Sequence, residues 1–372
     1  MVKNKVEKSK LDGLAFIVPF LYLLGALLLC AFFIVIIVSL KSDTVKELGA
    51  VGDSINGVSA PILGLMVVIV TFLAFWVQFE ANEELRRDIK IDRFETRFYE
   101  LLKLHQENVN TIDIAGKFSG RKAFVRMYNE IRFIYGFIEE QYTNWNRNEQ
   151  NAKIKEDKKA FMEVAYTIFF FGLKEVSSGR IIYQHNIHTP FFVKIMKELK
   201  SAKKSGKSIN NEKNKYSLSA VSSTLEKISW SPSYTPFEGQ VSKLGHYYRH
   251  LYQLIKFIST NTSLRLTFKE KYEYIKIVRA QLSNHEQVLI YFNSFFSAGN
   301  IWWKEINENF RNERGEVVSY FLDYKIIKNL PFNLTRFGPD PVHQFESFLR
   351  DRGRKQDEID AEMDELFEWI GG

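Results

Sequence analysis

The chain begins with two long apolar runs, after which hydrophobic residues recur at the three-and-four spacing of amphipathic helices. The runs cover residues 14–40 and 56–79, and neither contains a charged residue. At a rise of about 1.5 Å per residue, each is long enough to cross a hydrocarbon core of about 30 Å. The pattern therefore predicts a transmembrane helical hairpin over residues 1–80, with helices at about 14–40 and 56–79.

Basic residues beside the two runs predict the orientation of this hairpin. The connecting segment 41–54 holds two lysines against three acids, whereas basic residues dominate on the two outer sides. Because basic residues remain on the cytoplasmic side of a membrane, we expect a multi-pass protein with both termini in the cytoplasm. A cleaved signal peptide is the alternative, but the first run is about twice the usual apolar length and lacks a small-residue cleavage site.

The interior of both runs lacks charged residues, and this absence indicates what the hairpin does. Transporters and selective channels usually carry such groups within the membrane. The hairpin is therefore predicted to be an anchor. A homo-oligomeric pore lined by small residues is the alternative that this pattern leaves open.

The remaining 290 or so residues show helical periodicity almost throughout, which predicts a mainly α protein whose cytoplasmic domain is all-helical. Two segments interrupt the pattern: residues 197–215, predicted to be a mobile basic loop, and the proline-containing segment 229–236. The proline-containing segment predicts a division of the body into a membrane-proximal half at 81–228 and a C-terminal half at 229–350. Residues 351–372 then form an acidic amphipathic tail helix.

Individual elements follow from the same periodicity. Strands are expected only at 317–322 and 324–327, where apolar residues run together. Helices are predicted at about 120–143, 156–177, 190–202, 217–228, 237–260, 265–282, 284–297, 300–312 and 355–370.

Composition and charge indicate the cellular compartment of the protein and limit the classes of partner that it can bind. A single cysteine, Cys30, excludes an intramolecular disulfide and fits a reducing compartment. The net charge is +7; residues 1–80 contribute none of it, and the tail carries −5, so residues 81–350 carry +12. Such a basic body suits anionic lipid, nucleic acid or the acidic tail, and charge alone does not choose among them.

Polar residues interrupt the predicted helical stripes in three stretches. In residues 93–112, His105 and Asn108 take seam positions that elsewhere hold Phe and Leu, which predicts either a helix–helix hydrogen bond or a ligand contact. In residues 244–258, His246, Arg249 and His250 share one helix face. That face suits a phosphate or nucleotide, and a solvated polar face is the plainer interpretation.

The third stretch, residues 277–295, contains a capping box formed by Ser283 and Glu286, so one helix should end near Leu282 and another begin after Ser283. Arg279, Gln281, His285 and Asn293 are predicted to gather near this corner. They would either bind an anion or tie the two helices together.

Known catalytic signatures are missing from the chain. There is no glycine-rich phosphate loop, no G-x-S-x-G elbow, no HExxH, no CxxC and no kinase motif. The histidines at 246 and 250 lack the glutamate and third ligand of a zinc site. The sequence therefore predicts no cofactor and no metal, and it leans against an enzyme without excluding one.

Four segments together resemble the phage abortive infection proteins of the AbiC-like family: SAPILGLM in the second apolar run, FETRFYELLKLHQENVNTI, LGHYYRHLYQLIKFI and VRAQLSNHEQVLIYFNSF. They make up about a sixth of the chain but are spread over most of it. The family-like polar positions are His105, Asn108, Asn110, Tyr248, Arg249, Tyr252, Lys256, Arg279, Gln281, Ser283, Glu286 and Asn293.

The resemblance implies a protein of the bacterial inner membrane that protects a population against bacteriophage. Its helical body would sense infection through a phage-derived trigger or a host factor, and it would act at the lipid bilayer. Two other classes stay open: a membrane-tethered enzyme acting on nucleic acid or nucleotide, with a composite site at Arg249, His250, Arg279 and Glu286, and a constitutive membrane scaffold.

Overall fold

A computed structural model of the chain describes residues 48–148, 152–177, 188–207, 215–264, 266–305, 307 and 309–368, with the isolated positions 30, 33, 34 and 37. The chain divides into two compact units, Met1–Ile89 and Lys90–Gly372. Helix dominates the described residues, which confirms the predicted mainly α class.

Helix α1, Leu48–Thr111, contains the second predicted span. Within the described residues, the segment Leu63–Thr111 is the one that is long and apolar enough to cross a membrane, with a mean hydropathy of 2.0 over its most apolar window. Side chains such as Val67, Val68 and Phe75 are exposed there. The first predicted span, residues 14–40, lies outside the described residues except for the four isolated positions, so the hairpin stays a prediction.

The second unit contains the other described elements. Two small antiparallel hairpins occur among its helices, so the prediction of an all-helical body is wrong. The elements are β1 Asp113–Ile114, β2 Phe118–Ser119, α2 Arg121–Arg147, α3 Lys158–Phe171, α4 Leu173–Ser177, α5 Thr189–Ser205, β3 Leu218–Ser222, β4 Glu226–Trp230, α6 Val241–Ser259, α7 Phe268–Arg279, α8 Asn284–Asn293, a 3-10 helix Ser297–Trp302, α9 Pro341–Asp351 and α10 Gln356–Leu366.

Strands β3 and β4 replace a helix that was predicted over 217–228. Apolar residues in this segment fit helical spacing, but alternate residues of β3 are buried, which is the period of a strand. The hairpin packs on α2, where Gly136 leaves room for Ile228: a Cβ at position 136 would lie 2.2 Å from Ile228 Cδ1. Glu139 of α2 accepts hydrogen bonds from Ser222 Oγ and Thr224 Oγ1, which secures the turn.

Four further predictions differ from the structure. The helix predicted at 156–177 is divided at Gly172 into α3 and α4. The predicted strands at 317–322 and 324–327 are turns with buried side chains, apart from an isolated bridge between Arg311 and Val317, and the helix predicted at 300–312 is only the end of the 3-10 helix. An apolar run marks burial, and at this length it does not specify a strand. The predicted loop at 197–215 begins late, because α5 continues to Ser205; residues 208–214 lie outside the described part.

Helix α2 lies at the centre of the second unit and packs against α3, α5, α8 and β3. One hydrophobic core includes buried residues from both sides of residue 229. The tail helix α10 adds Ile359, Met363 and Leu366 to this core, and acidic side chains of the tail pair with Arg354 of the tail and with basic residues of the body. These ion pairs join Arg314 to Glu358 and Glu362, Arg354 to Glu362, Lys325 to Glu365, and Lys328 to Glu368.

Candidate functional site

The corner between α7 and α8 brings together residues of all three polar stretches. Ser283 precedes α8, and the predicted capping box is present: Ser283 N donates to Glu286 Oε2 at 2.8 Å, and Glu286 N donates to Ser283 Oγ at 3.4 Å. These bonds satisfy backbone groups that a helix start leaves free. The box therefore fixes where the Glu286 carboxylate lies.

The Glu286 carboxylate is fully buried and links three helices. Tyr247 of α6 donates its hydroxyl to Oε1 at 3.2 Å, and Ser283 Oγ donates to Oε2 at 2.5 Å. Arg121, at the start of α2, brings Nε to 3.9 Å from Oε2. Both carboxylate oxygens are occupied by these partners, so the arrangement suits docking of helices rather than proton abstraction from a substrate.

The same corner also binds the end of α1. Gln106 Nε2 donates to Gln281 Oε1 at 2.9 Å, and Arg121 Nη2 donates to the Gln281 carbonyl at 2.8 Å. The corner therefore holds the end of α1 and the start of α2 at one point. We call Arg121, Tyr247, Gln281, Ser283 and Glu286 the corner cluster.

His105 lies beside this cluster and is a buried histidine whose ring packs near Tyr247. It is 1% exposed, its ring centroid lies 5.1 Å from that of Tyr247, and neither ring nitrogen has a hydrogen-bond partner among the described residues. Burial, with a smaller effect of the nearby His250, lowers the His105 pKa to about 4. The imidazole is therefore neutral at pH 7. Asn108 Nδ2 is also buried without a partner in the described part of the chain.

Arg279 and Asn293 make their hydrogen bonds outside the cluster. Arg279 donates Nη1 to the Lys325 carbonyl at 2.6 Å. Asn293 ends α8, where its Nδ2 donates to the Tyr166 hydroxyl at 3.0 Å and its Oδ1 accepts from Trp302 Nε1 at 3.0 Å. His246 and Arg249 are exposed. Arg279 and Asn293 thus do not join Gln281 at the corner.

The sequence analysis did not identify several buried polar residues, although a polar residue that interrupts the apolar face of a helix could have indicated some of them. Glu130 and Glu139 interrupt the apolar face of α2 in the way that His105 interrupts α1, and both are buried. Tyr166 donates its hydroxyl to the Tyr248 hydroxyl at 3.0 Å, which extends the Asn293 network. Arg121 carried no sequence signal, because its role arises only when the corner packs against the start of α2.

Glu130 provides a pH-dependent contribution to stability. Its carboxylate accepts from Phe237 N at 2.6 Å and Gln240 Nε2 at 3.0 Å. Burial raises the Glu130 pKa to about 7, against the opposing effect of these bonds. Between the ordinary pKa of a glutamate and about 7, the folded protein therefore keeps a proton on Glu130 that the unfolded chain has released. The resulting stabilisation is complete below about pH 4.5 and is lost as the pH rises through about 7.

We expect the unfolding free energy of the parent protein to fall relative to that of Glu130→Gln between pH 5 and pH 8, by about 2–3 kcal/mol. Denaturant titrations of both proteins at several pH values measure this difference. Comparing the two proteins at each pH cancels the opposite contribution of His105. A difference that stays constant with pH would contradict the raised pKa.

Metal ligation finds no support in the described residues, which contain no group of three or more His, Cys, Asp or Glu side chains placed to hold an ion. The His188 ring centroid lies 5.9 Å from that of Trp145, and His185 lies outside the described ranges.

Comparison with known proteins gives one match, to a family model that covers part of the chain. A family model described as "Putative phage abortive infection protein" matches residues 239–334, the region that contains α6, α7, α8 and the corner between the last two. This is the family that the sequence motifs resemble. No curated protein and no solved structure matches the chain.

Proposed function

We propose that the protein is a membrane-anchored antiphage defence protein that acts by abortive infection at the bacterial inner membrane. The observation that carries this proposal is the family match over residues 239–334. The match includes most of the corner cluster, whose buried contacts would hold the family-specific helices in one arrangement. The match suggests a phage abortive infection role, and the anchoring and sensing steps are added by our proposal.

Anchoring is supported by the apolar part of α1. Between Leu63 and Phe79 most of the large apolar side chains are exposed, with Val67 at 65% and Phe75 at 66%. Contiguous apolar surface of this extent is unfavourable in water and favourable in lipid. Because the described part of the span carries no ionisable group, we assign it to anchoring rather than ion passage.

Sensing is assigned to the basic body, through an exposed polar face of α6. His246 and Arg249 lie three residues apart on that face, inside the matched region, and both are exposed. Exposed histidine and arginine side chains suit a phage-derived trigger or a host factor that presents anionic groups.

Phage plating and culture survival test the function. In cells expressing the full chain, we expect strong reduction of plaques, with culture growth preserved at low multiplicity of infection and collapse at high multiplicity. At low multiplicity the loss of few infected cells spares the rest, whereas at high multiplicity nearly every cell is infected. Unchanged plating across a broad phage panel would contradict the proposal.

Anchoring is tested by the double variant Val67→Arg with Val68→Arg. Arginine near the centre of a span disfavours insertion by about 2.5–3.5 kcal/mol per residue. We therefore expect the second apolar run of the double variant to insert poorly and protection to be lost, while the first run, residues 14–40, still holds the chain in the membrane fraction. Val193→Arg is the matched control, because Val193 is an equally exposed valine of α5. Full protection by a double variant whose second run no longer crosses the membrane would show that this span is unnecessary.

A further inference from the structure

A second polar feature lies on the body, away from the corner cluster. It is a cleft of about 330 Å³ between one face of α2 and the segment that follows β4. Arg126, Asn129 and Arg132 recur every three residues along α2, so their side chains share one face of the helix. Ser231 and Ser233 contribute from the opposite side.

The cleft is electrostatically suited to an anion. No carboxylate lines it, and neither Arg126 nor Arg132 forms an ion pair with a described residue. The nearest acid along α2, Glu130, is buried and bonded to Phe237 and Gln240. Two unpaired guanidinium groups on one helix face can therefore donate hydrogen bonds to phosphate oxygens.

Aromatic residues hold the cleft in shape and add a surface for a flat ring. The Arg126 guanidinium lies 4.3 Å from the centroid of the Phe118 ring, a stacked position that leaves the N–H groups at its edge able to donate. Trp230 is half-buried and is fixed by ring contacts with Phe133 at 5.4 Å and Phe237 at 5.9 Å. A purine or pyrimidine ring stacks well on such an indole.

We infer that this cleft binds a mononucleotide, with its phosphate on Arg126 and Arg132 and its base against Trp230. Asn129 and the serine hydroxyls supply neutral donors and acceptors for the sugar and the base edge. The volume of about 330 Å³ suits one nucleotide and not a strand. The site does not depend on the antiphage function proposed above.

Isothermal titration calorimetry of the full chain in detergent tests this site. The probes are AMP, GMP, CMP and UMP, with inorganic phosphate and adenosine as partial ligands. We expect at least one mononucleotide to bind more tightly than phosphate or adenosine. Arg126→Gln and Arg132→Gln should each weaken that binding by about tenfold to a hundredfold, because each removes charge-assisted hydrogen bonds.

Arg147→Gln is the matched control, since Arg147 is an exposed arginine of the same helix that does not line the cleft. It should bind nucleotide as the parent does, and all three variants should melt as the parent does. Trp230→Leu should weaken nucleotide binding and leave phosphate binding unchanged.

Several results would overturn the inference. These are the absence of binding by all four mononucleotides, equal weakening in Arg147→Gln, and affinity for inorganic phosphate that matches the best nucleotide. Tighter binding of a single-stranded oligonucleotide than of any mononucleotide would also overturn it in favour of a nucleic-acid surface. A folded Arg126→Gln, Arg132→Gln double variant that binds normally would exclude the cleft.

Discussion

Gly299→Ala is expected to destabilise the body by about 3 kcal/mol or more, because there is no space for a methyl group at this position. A Cβ at residue 299 would lie 1.9 Å from the carbonyl oxygen of Asn293 and 2.7 Å from its Oδ1. Asn293 cannot move away freely, since it bonds Tyr166 and Trp302 in the core. The melting temperature of the full chain in detergent measures the effect.

Gly245→Ala provides the matched control for this prediction. Gly245 lies inside α6, and a Cβ there would meet nothing closer than Val241 Cγ2 at 4.0 Å. Alanine should therefore stabilise the protein by about 0.5–1 kcal/mol through helix propensity. If Gly299→Ala melted at the parent temperature, the close approach of the 3-10 helix to the end of α8 would be disproved.

Glu286→Ala is expected to destabilise the protein by about 2–4 kcal/mol, because it leaves buried donors without an acceptor. The Ser283 backbone N–H and the Tyr247 hydroxyl both depend on this carboxylate. Glu286→Gln should cost less, since the amide oxygen still accepts. Denaturant titration of both variants measures the difference.

Glu270→Ala is the matched control, since Glu270 completes an equivalent capping box with Thr267 on the exposed surface. Its loss should cost only about 0.5–1 kcal/mol. The difference between the two glutamates isolates the effect of burial and of the contacts with Tyr247 and Arg121.

The Glu286 variants also distinguish a structural role of this carboxylate from a catalytic one. If the corner cluster only positions helices, phage protection should follow stability, and Glu286→Gln should keep most of both. Loss of protection in a Glu286→Gln protein that melts as the parent does would instead assign chemistry to the carboxylate. That result would favour the membrane-tethered enzyme, in which Glu286 was one of the composite site residues.

Local signals in the sequence were reliable where neighbouring residues alone set the structure. The capping box at Ser283 and Glu286 depends on groups three residues apart, and it formed as expected. The helices α2, α6 and α7 follow stripes of apolar residues that each helix buries on its own face. The apolar run in α1 needs only length and composition to be recognised.

The hairpin of β3 and β4 could not be found in this way. Its residues satisfy helical spacing, and the choice of strand depends on Gly136 and Glu139, which lie about 85 residues earlier in the chain. Long-range packing overrides local preference in such segments. The nucleotide cleft is hidden for the same reason, because its arginines and serines come from distant segments.

Sequence alone thus determined the mainly helical class, the apolar span in α1, the helix ends at the corner and the family resemblance, because each is encoded by residues close together in the chain. Tertiary structure alone decided that Glu286 contacts Tyr247 and Arg121, that the neutral His105 ring has no hydrogen-bond partner among the described residues, and that Arg279 and Asn293 bond to other groups. Whether a side chain is buried, and which groups it contacts, depend on which helices pack together. A side chain acquires its chemical role only after that packing is complete.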